Sequence, residues 1–141
     1  MLKVRQAQMS DATTIASLVT QLGYPTGDGE MIDRLKRTLD DPRHTVFVAD
    51  TDGGVVGMGA ACVEHNLERD EPQVRVMGLV VDEKARGRGV GAFLMQQIEE
   101  WARERGADRV TLTSGNYRPE AHKFYEAIGY QITGTRFIKR V

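Results

Sequence analysis

Apolar residues recur along this chain with two periods, and the switches between them mark the elements. LKVRQA at 2–7 alternates and predicts a short strand. Ile15, Leu18, Val19 and Leu22 follow three-four spacing and predict a helix, capped by Ser10 and closed by Gly23. Ile32, Leu35 and Leu39 place a second helix on EMIDRLKRTLDD at 30–41, stopped by Pro42. HTVFVAD at 44–50 and GVVGMGAACVEH at 54–65 read as strands joined by TDGG, a hairpin signal. The nearly continuous apolar run QVRVMGLVV at 73–81 suits a central strand buried on both faces. A long helix from about Val90 to Arg105 carries the stripe Phe93, Leu94, Ile98, Trp101 and Ala102 and ends at Gly106. RVTLT at 109–113 is a strand. Pro119 opens a helix with Ala121, Phe124, Tyr125 and Ile128, closed by Gly129, and YQITGTRFIKRV at 130–141 reads as a last strand broken at Gly134.

The resulting order is β-α-α-β-β-β-α-β-α-β. A strand, a long helix and another strand require a crossover and hence parallel pairing, whereas the hairpins require antiparallel pairing. The expected fold is mixed α/β: a mostly antiparallel central sheet with helices on both faces, in one domain spanning 1–141.

Composition narrows the function classes. With 141 residues and a net charge of −1, the chain has no field that would draw nucleic acid or an anionic membrane non-specifically. No apolar run approaches the ~20 residues that span a bilayer, and MLKVRQAQMSD turns polar too early for a signal peptide, so a cytoplasmic location is expected. Cys62 is the single cysteine, which rules out an internal disulfide; in GMGAACV it reads as a small buried hydrophobe. His44, His65 and His122 have no ligand spacing, and no metal site is expected.

The candidate chemistry sits in ARGRGVGAFL, residues 85–94, where glycines and arginines run straight into a helix. A P-loop would need Lys followed by Ser or Thr, which are absent. Gly87, Gly89 and Ala92 satisfy the dinucleotide fingerprint formally. However, DEKAR separates them from the strand, some 80 residues precede them, and no acidic residue ends the next strand. The remaining pattern is R-x-x-G-x-G, on Arg86, Gly89 and Gly91. It describes a nest of backbone N–H groups at a helix N-terminus, suited to a phosphate.

The segment from Met77 to Tyr130 resembles the core of the GNAT superfamily of acetyl-CoA-dependent N-acetyltransferases. The likeness has three parts: an apolar strand before R-x-x-G-x-G, a long helix then a strand, and the ending N…EAHKFYEAIGY. The upstream element order agrees too. The resemblance implies that the backbone of Arg86, Gly87, Arg88, Gly89, Val90 and Gly91, with Ala92, holds the diphosphate of coenzyme A. It implies that Leu79, Val80 and Val81 offer unpaired backbone groups to the pantetheine arm, and that Asn116 bonds to that arm. Tyr125 matches the general acid. A phenol near pKa 10 is a weaker acid than a thiol near 8.5, so full transfer would be uphill by roughly 2 kcal/mol. Tyr125 is therefore expected to act chiefly by donating a hydrogen bond as the thiolate develops.

Two roles stay open. Many relatives carry an acidic residue in the strand before the turn, but QVRVMGLVV has Arg75 alone as a charged residue. Glu64 and His65 are the nearest alternative bases for the attacking amine, beside a water chain. The acceptor is a small-molecule amine or a peptide amine, with the former favoured. The acidic EHNLERDEP turn would attract a cation, and Tyr24 in LGYPTGDGE is placed to stack on a substrate. The competing reading is a non-catalytic coenzyme A-binding or sensor module of the same fold. A homodimer through the last strand is the candidate assembly.

Overall fold

The computed structural model describes residues 1–114 and 119–141, in two compact units, 1–111 and 112–141. The first holds β1 (Lys3–Gln6), α1 (Ala12–Leu22), α2 (Asp28–Leu39), β2 (His44–Thr51), β3 (Gly54–Glu64), β4 (Gln73–Val81), α3 (Val90–Glu104) and β5 (Val110–Thr111). The second holds α4 (Pro119–Ala127).

The strands lie in the order β1-β2-β3-β4-β5, antiparallel except for the parallel β4–β5 pair that the α3 crossover demands. Asp52 and Gly53 alone join β2 to β3, as the hairpin signal predicts. Pleating divides the sheet's side chains between two layers. On one face Val46, Val48, Met58 and Val80 form a core with Ile15 and Leu18 of α1 and with Met31 and Leu35 of α2. On the other face α3 lies close to β3. A Cβ added at Gly57 would come within 3.1 Å of Leu94 and Val90, and one at Gly59 within 3.1 Å of Ile98.

Several expectations are corrected. Ser10 does not cap α1. A 3-10 turn over Met9–Asp11 precedes the helix, and Asp11 stands at the N-cap position with no side-chain bond to the helix, its carboxylate being held by Arg5 of β1. The guanidinium donates to both Asp11 oxygens at 2.9 Å and to Asp50 at 3.0 Å, while the Gln8 N–H donates to Asp11 at 2.8 Å. The buried face of α2 is Met31 and Leu35, with Ile32 exposed, and that of α3 omits Phe93, which is also exposed. The last strand is not formed: residues 130–141 carry no strand, and 131–141 are exposed throughout. A strand needs a neighbouring edge, and periodicity does not supply one.

Arg5 holds the Asp11 carboxyl below its usual range; burial opposes this, and the Gln8 N–H adds to it. A depressed carboxyl contributes stability above its unfolded pKa, about 3.9, and loses that contribution as the pH falls through the folded value. Asp11→Asn should therefore cost about 2 kcal/mol at pH 7. The gap from wild type should shrink as the pH falls below about 4 in parallel urea titrations; a gap independent of pH would refute the assignment.

Candidate active site

The site is assembled where β4 ends and α3 begins. After Val81, the Asp82 side chain accepts from the Lys84 N–H at 2.9 Å and opens a short 3-10 turn over Glu83–Ala85. Gln21 of α1 braces this turn, donating from Nε2 to Asp82 at 3.2 Å and accepting from the Glu83 N–H at 3.1 Å. The Lys84 N–H, then Gln21, hold the Asp82 carboxyl below its usual range. Arg86 Nε donates to the Val81 carbonyl at 3.2 Å, which folds the first arginine back over the strand end.

The chain then passes through Gly87 and Gly89, both at φ 79°. L-residues with a side chain pay for that conformation, so glycine is required by the backbone. It is not required by crowding: a Cβ at Gly87 would meet nothing within 4 Å, and one at Gly89 only the Phe93 ring edge at 4.0 Å. Residues 86–89 are exposed. The hydrogen-bond ladder of α3 starts with the Phe93 N–H donating to the Gly89 carbonyl at 3.1 Å. The N–H groups of Val90, Gly91 and Ala92 stand ahead of that ladder, at the positive end of a 15-residue helix. Donors of this kind beneath open space make an anion seat.

The second component is the edge of β4. Pairing with β5 covers Val74 opposite Val110 and Arg75 opposite Thr111, then stops. The register against β3 shifts between Ala60 and Ala61, leaving Met77 as an extra residue on β4. Such a bulge bends the strand. Among the described residues, Leu79–Val81 therefore have β3 on one side and no strand on the other. These groups and the turn are neighbours in one unit, so the residues present fit an extended, amide-bearing ligand that ends in a diphosphate.

The sequence profile of the acetyltransferase (GNAT) family matches residues 10–130. The chain belongs to the GNAT acetyltransferase family. It is 30% identical over 138 residues to the aminoalkylphosphonate N-acetyltransferase of Salmonella typhimurium, covering 97% of this chain and 90% of that protein. It is 29% identical to the aminoglycoside N(6')-acetyltransferase type 1 of Stenotrophomonas maltophilia, covering 92% and 86%. Its fold matches an aminoglycoside N-acetyltransferase solved in complex with CoA, with a TM-score of 0.90 at 22% identity, over 100% of this chain and 95% of that one.

In this GNAT chain the other named residues fall as follows. Glu64, half-buried at the end of β3, pairs with Arg75 Nε at 3.1 Å and accepts from Gln73 Nε2 at 3.1 Å. His65 lies just beyond the strand and is exposed. Cys62 is buried with its sulfur 3.6 Å from the Met77 sulfur. Burial, then Glu64, pushes its thiol pKa up, away from a reactive thiolate. Tyr125 belongs to the second unit, where its ring packs edge-on against Phe124 and Tyr130. Asn116 lies outside the described residues. The Gln21–Asp82 brace was missed from sequence. Its one local signal is Asp two residues before the Lys84 donor, an Asx-turn spacing.

Gly89→Val should strain the turn by about 1–2 kcal/mol and weaken coenzyme A binding at least tenfold by calorimetry, with the helical dichroism retained. Unchanged affinity would remove the turn from the site.

Proposed function

We propose that the chain transfers the acetyl group of acetyl-CoA to a primary small-molecule amine by direct attack within a ternary complex, and that it works as a homodimer. The observation that carries the cofactor half is the set of N–H donors of Val90–Ala92 ahead of the α3 ladder, next to the open edge of β4. Acetyl-CoA, when bound, supplies the acyl group as an activated thioester. The turn 86–92 binds the diphosphate, and Leu79, Val80 and Val81 pair with the amides of the arm, with Asn116 as a further partner. Tyr125 Oη donates to the departing sulfur. Glu64 or His65 accepts the proton of the amine. The raised Cys62 thiol supports direct attack over a covalent acyl-enzyme. The names of the two curated relatives, one acting on aminoalkylphosphonates and one on aminoglycosides, support a small amine as acceptor.

The second reading, a coenzyme A-binding module without turnover, draws support from Glu64, whose carboxylate is already engaged by Arg75 and Gln73. A panel of amines assayed for thiol release from acetyl-CoA separates the two: release with at least one small amine supports the enzyme, and binding without release supports the module.

Within the enzyme reading, Tyr125→Phe should lower kcat by about 10²-fold or more and leave coenzyme A affinity unchanged. Full turnover in that variant would remove Tyr125 from the chemistry. Glu64→Gln and His65→Gln, made singly and together, should shift the acid limb of the pH–rate profile for whichever residue is the base; an unaltered profile in the double variant would assign the proton to water.

A further inference from the structure

The glycine turn is held from both faces of the sheet, and the support from the α1 face is a single side chain. Between Val81 and Val90, Ala85 alone is buried, and residues 86–89 are exposed. Two glycines at φ 79° leave that stretch of backbone wide conformational freedom. A turn free to wander must be ordered when a ligand binds, and that ordering is subtracted from the affinity. The α3 end is fixed by the packing of Val90 and Leu94 over Gly57. The other end begins at Asp82, whose N–H donates to the Val56 carbonyl at 2.8 Å.

Gln21 holds that second end with both atoms of its amide. Nε2 donates to Asp82 Oδ2 at 3.2 Å, and Oε1 accepts from the Glu83 N–H at 3.1 Å. The remaining Asp82 oxygen, Oδ1, accepts from the Lys84 N–H at 2.9 Å. Both carboxylate oxygens are thus engaged at the head of a turn that is to seat an anion. The helix behind Gln21 is itself anchored. Ile15 and Leu18 share a core with Val80 of β4, and Leu22 packs against it. Past Gln21 the helix closes at Gly23, φ 115°, and Thr20 Oγ1 accepts from the Thr26 N–H at 3.1 Å. Gln21 therefore ties the turn to a part of the molecule that cannot follow it.

We infer that Gln21 is a positioning residue for the cofactor: through Asp82 and Glu83 it holds the head of the glycine turn where the diphosphate meets the N–H donors of Val90–Ala92. It acts on affinity and not on the acyl group or the amine. The inference rests on the acetyl-CoA reading above and is the same for an enzyme and for a binding module.

Calorimetry of the full chain with coenzyme A tests it. Gln21→Ala should weaken binding about tenfold, the worth of a bidentate contact that includes a carboxylate, with the helical dichroism retained. Gln21→Glu keeps an acceptor for the Glu83 N–H but sets oxygen against oxygen at Asp82, and should weaken binding at least as much. Adding Asp82→Asn to Gln21→Glu reverses the roles: the new amide keeps an oxygen for the Lys84 N–H and turns its NH2 toward the new carboxylate. Every bond re-forms at the wild-type net charge, so the double variant should bind within about twofold of wild type. With any amine that supports thiol release, the KM for acetyl-CoA should rise by the factor seen in binding while kcat is unchanged. A wild-type chain that does not bind coenzyme A would overturn the acetyl-CoA reading and this inference with it. Wild-type binding matched by Gln21→Ala would overturn the inference alone, as would a fall in kcat at constant KM. A double variant no better than Gln21→Glu would overturn the action through Asp82.

Discussion

The structure of the site depends on how closely α3 approaches β3. Gly57 and Gly59 leave no room for a side chain beneath Val90, Leu94 and Ile98, so the helix sits directly on the sheet. That contact fixes the helix axis and with it the direction of the N–H groups at its first turn. Three donors ahead of the hydrogen-bond ladder would be a cost in an isolated helix; here the helix that carries them is packed on the sheet. An anion that binds there meets donors already aimed, which limits the ordering needed on binding.

The rest of the site follows from how β4 handles its two neighbours. Against β3 it pairs along its whole length, with one extra residue at Met77. Against β5 it pairs for two positions and then parts, just before that residue. The bulge bends the strand near the point where the described pairing ends, and among the described residues Leu79–Val81 have no strand on that side. Arg86 and the Gln21–Asp82 brace then tie the strand end to the glycine turn. A strand edge and a helix end, each with unsatisfied main-chain groups, thus become continuous within about ten residues of sequence.

How much of this was legible depended on the range of the interactions involved. The β2–β3 hairpin and the glycine turn were readable because each is a local conformational demand: a two-residue connection, and φ values that glycine tolerates. The start of α1 was not, because the Asp11 carboxylate just ahead of it is held by Arg5 from another element. Phe93 fits the helical stripe by spacing, yet it lies exposed beside Gly89 while Val90, Leu94 and Ile98 pack on the sheet. The length of β5 was hidden too: RVTLT has strand character throughout, whereas β5 spans Val110–Thr111. The tail shows the limit most plainly: residues 130–141 alternate in sequence, yet none of them is assigned to a strand. Of the candidate residues, Tyr125 was readable only through its motif, and nothing local in Glu64 reveals its pairing with Arg75.

The central claim is that main-chain donors at the start of α3 hold the diphosphate of the acyl carrier. A crystal structure of the protein with coenzyme A tests it most directly. The account predicts diphosphate oxygens within hydrogen-bond distance of the N–H groups of Val90, Gly91 and Ala92, with the pantetheine arm alongside Leu79–Val81. A diphosphate held by side chains elsewhere, with those N–H groups left to solvent, would contradict it.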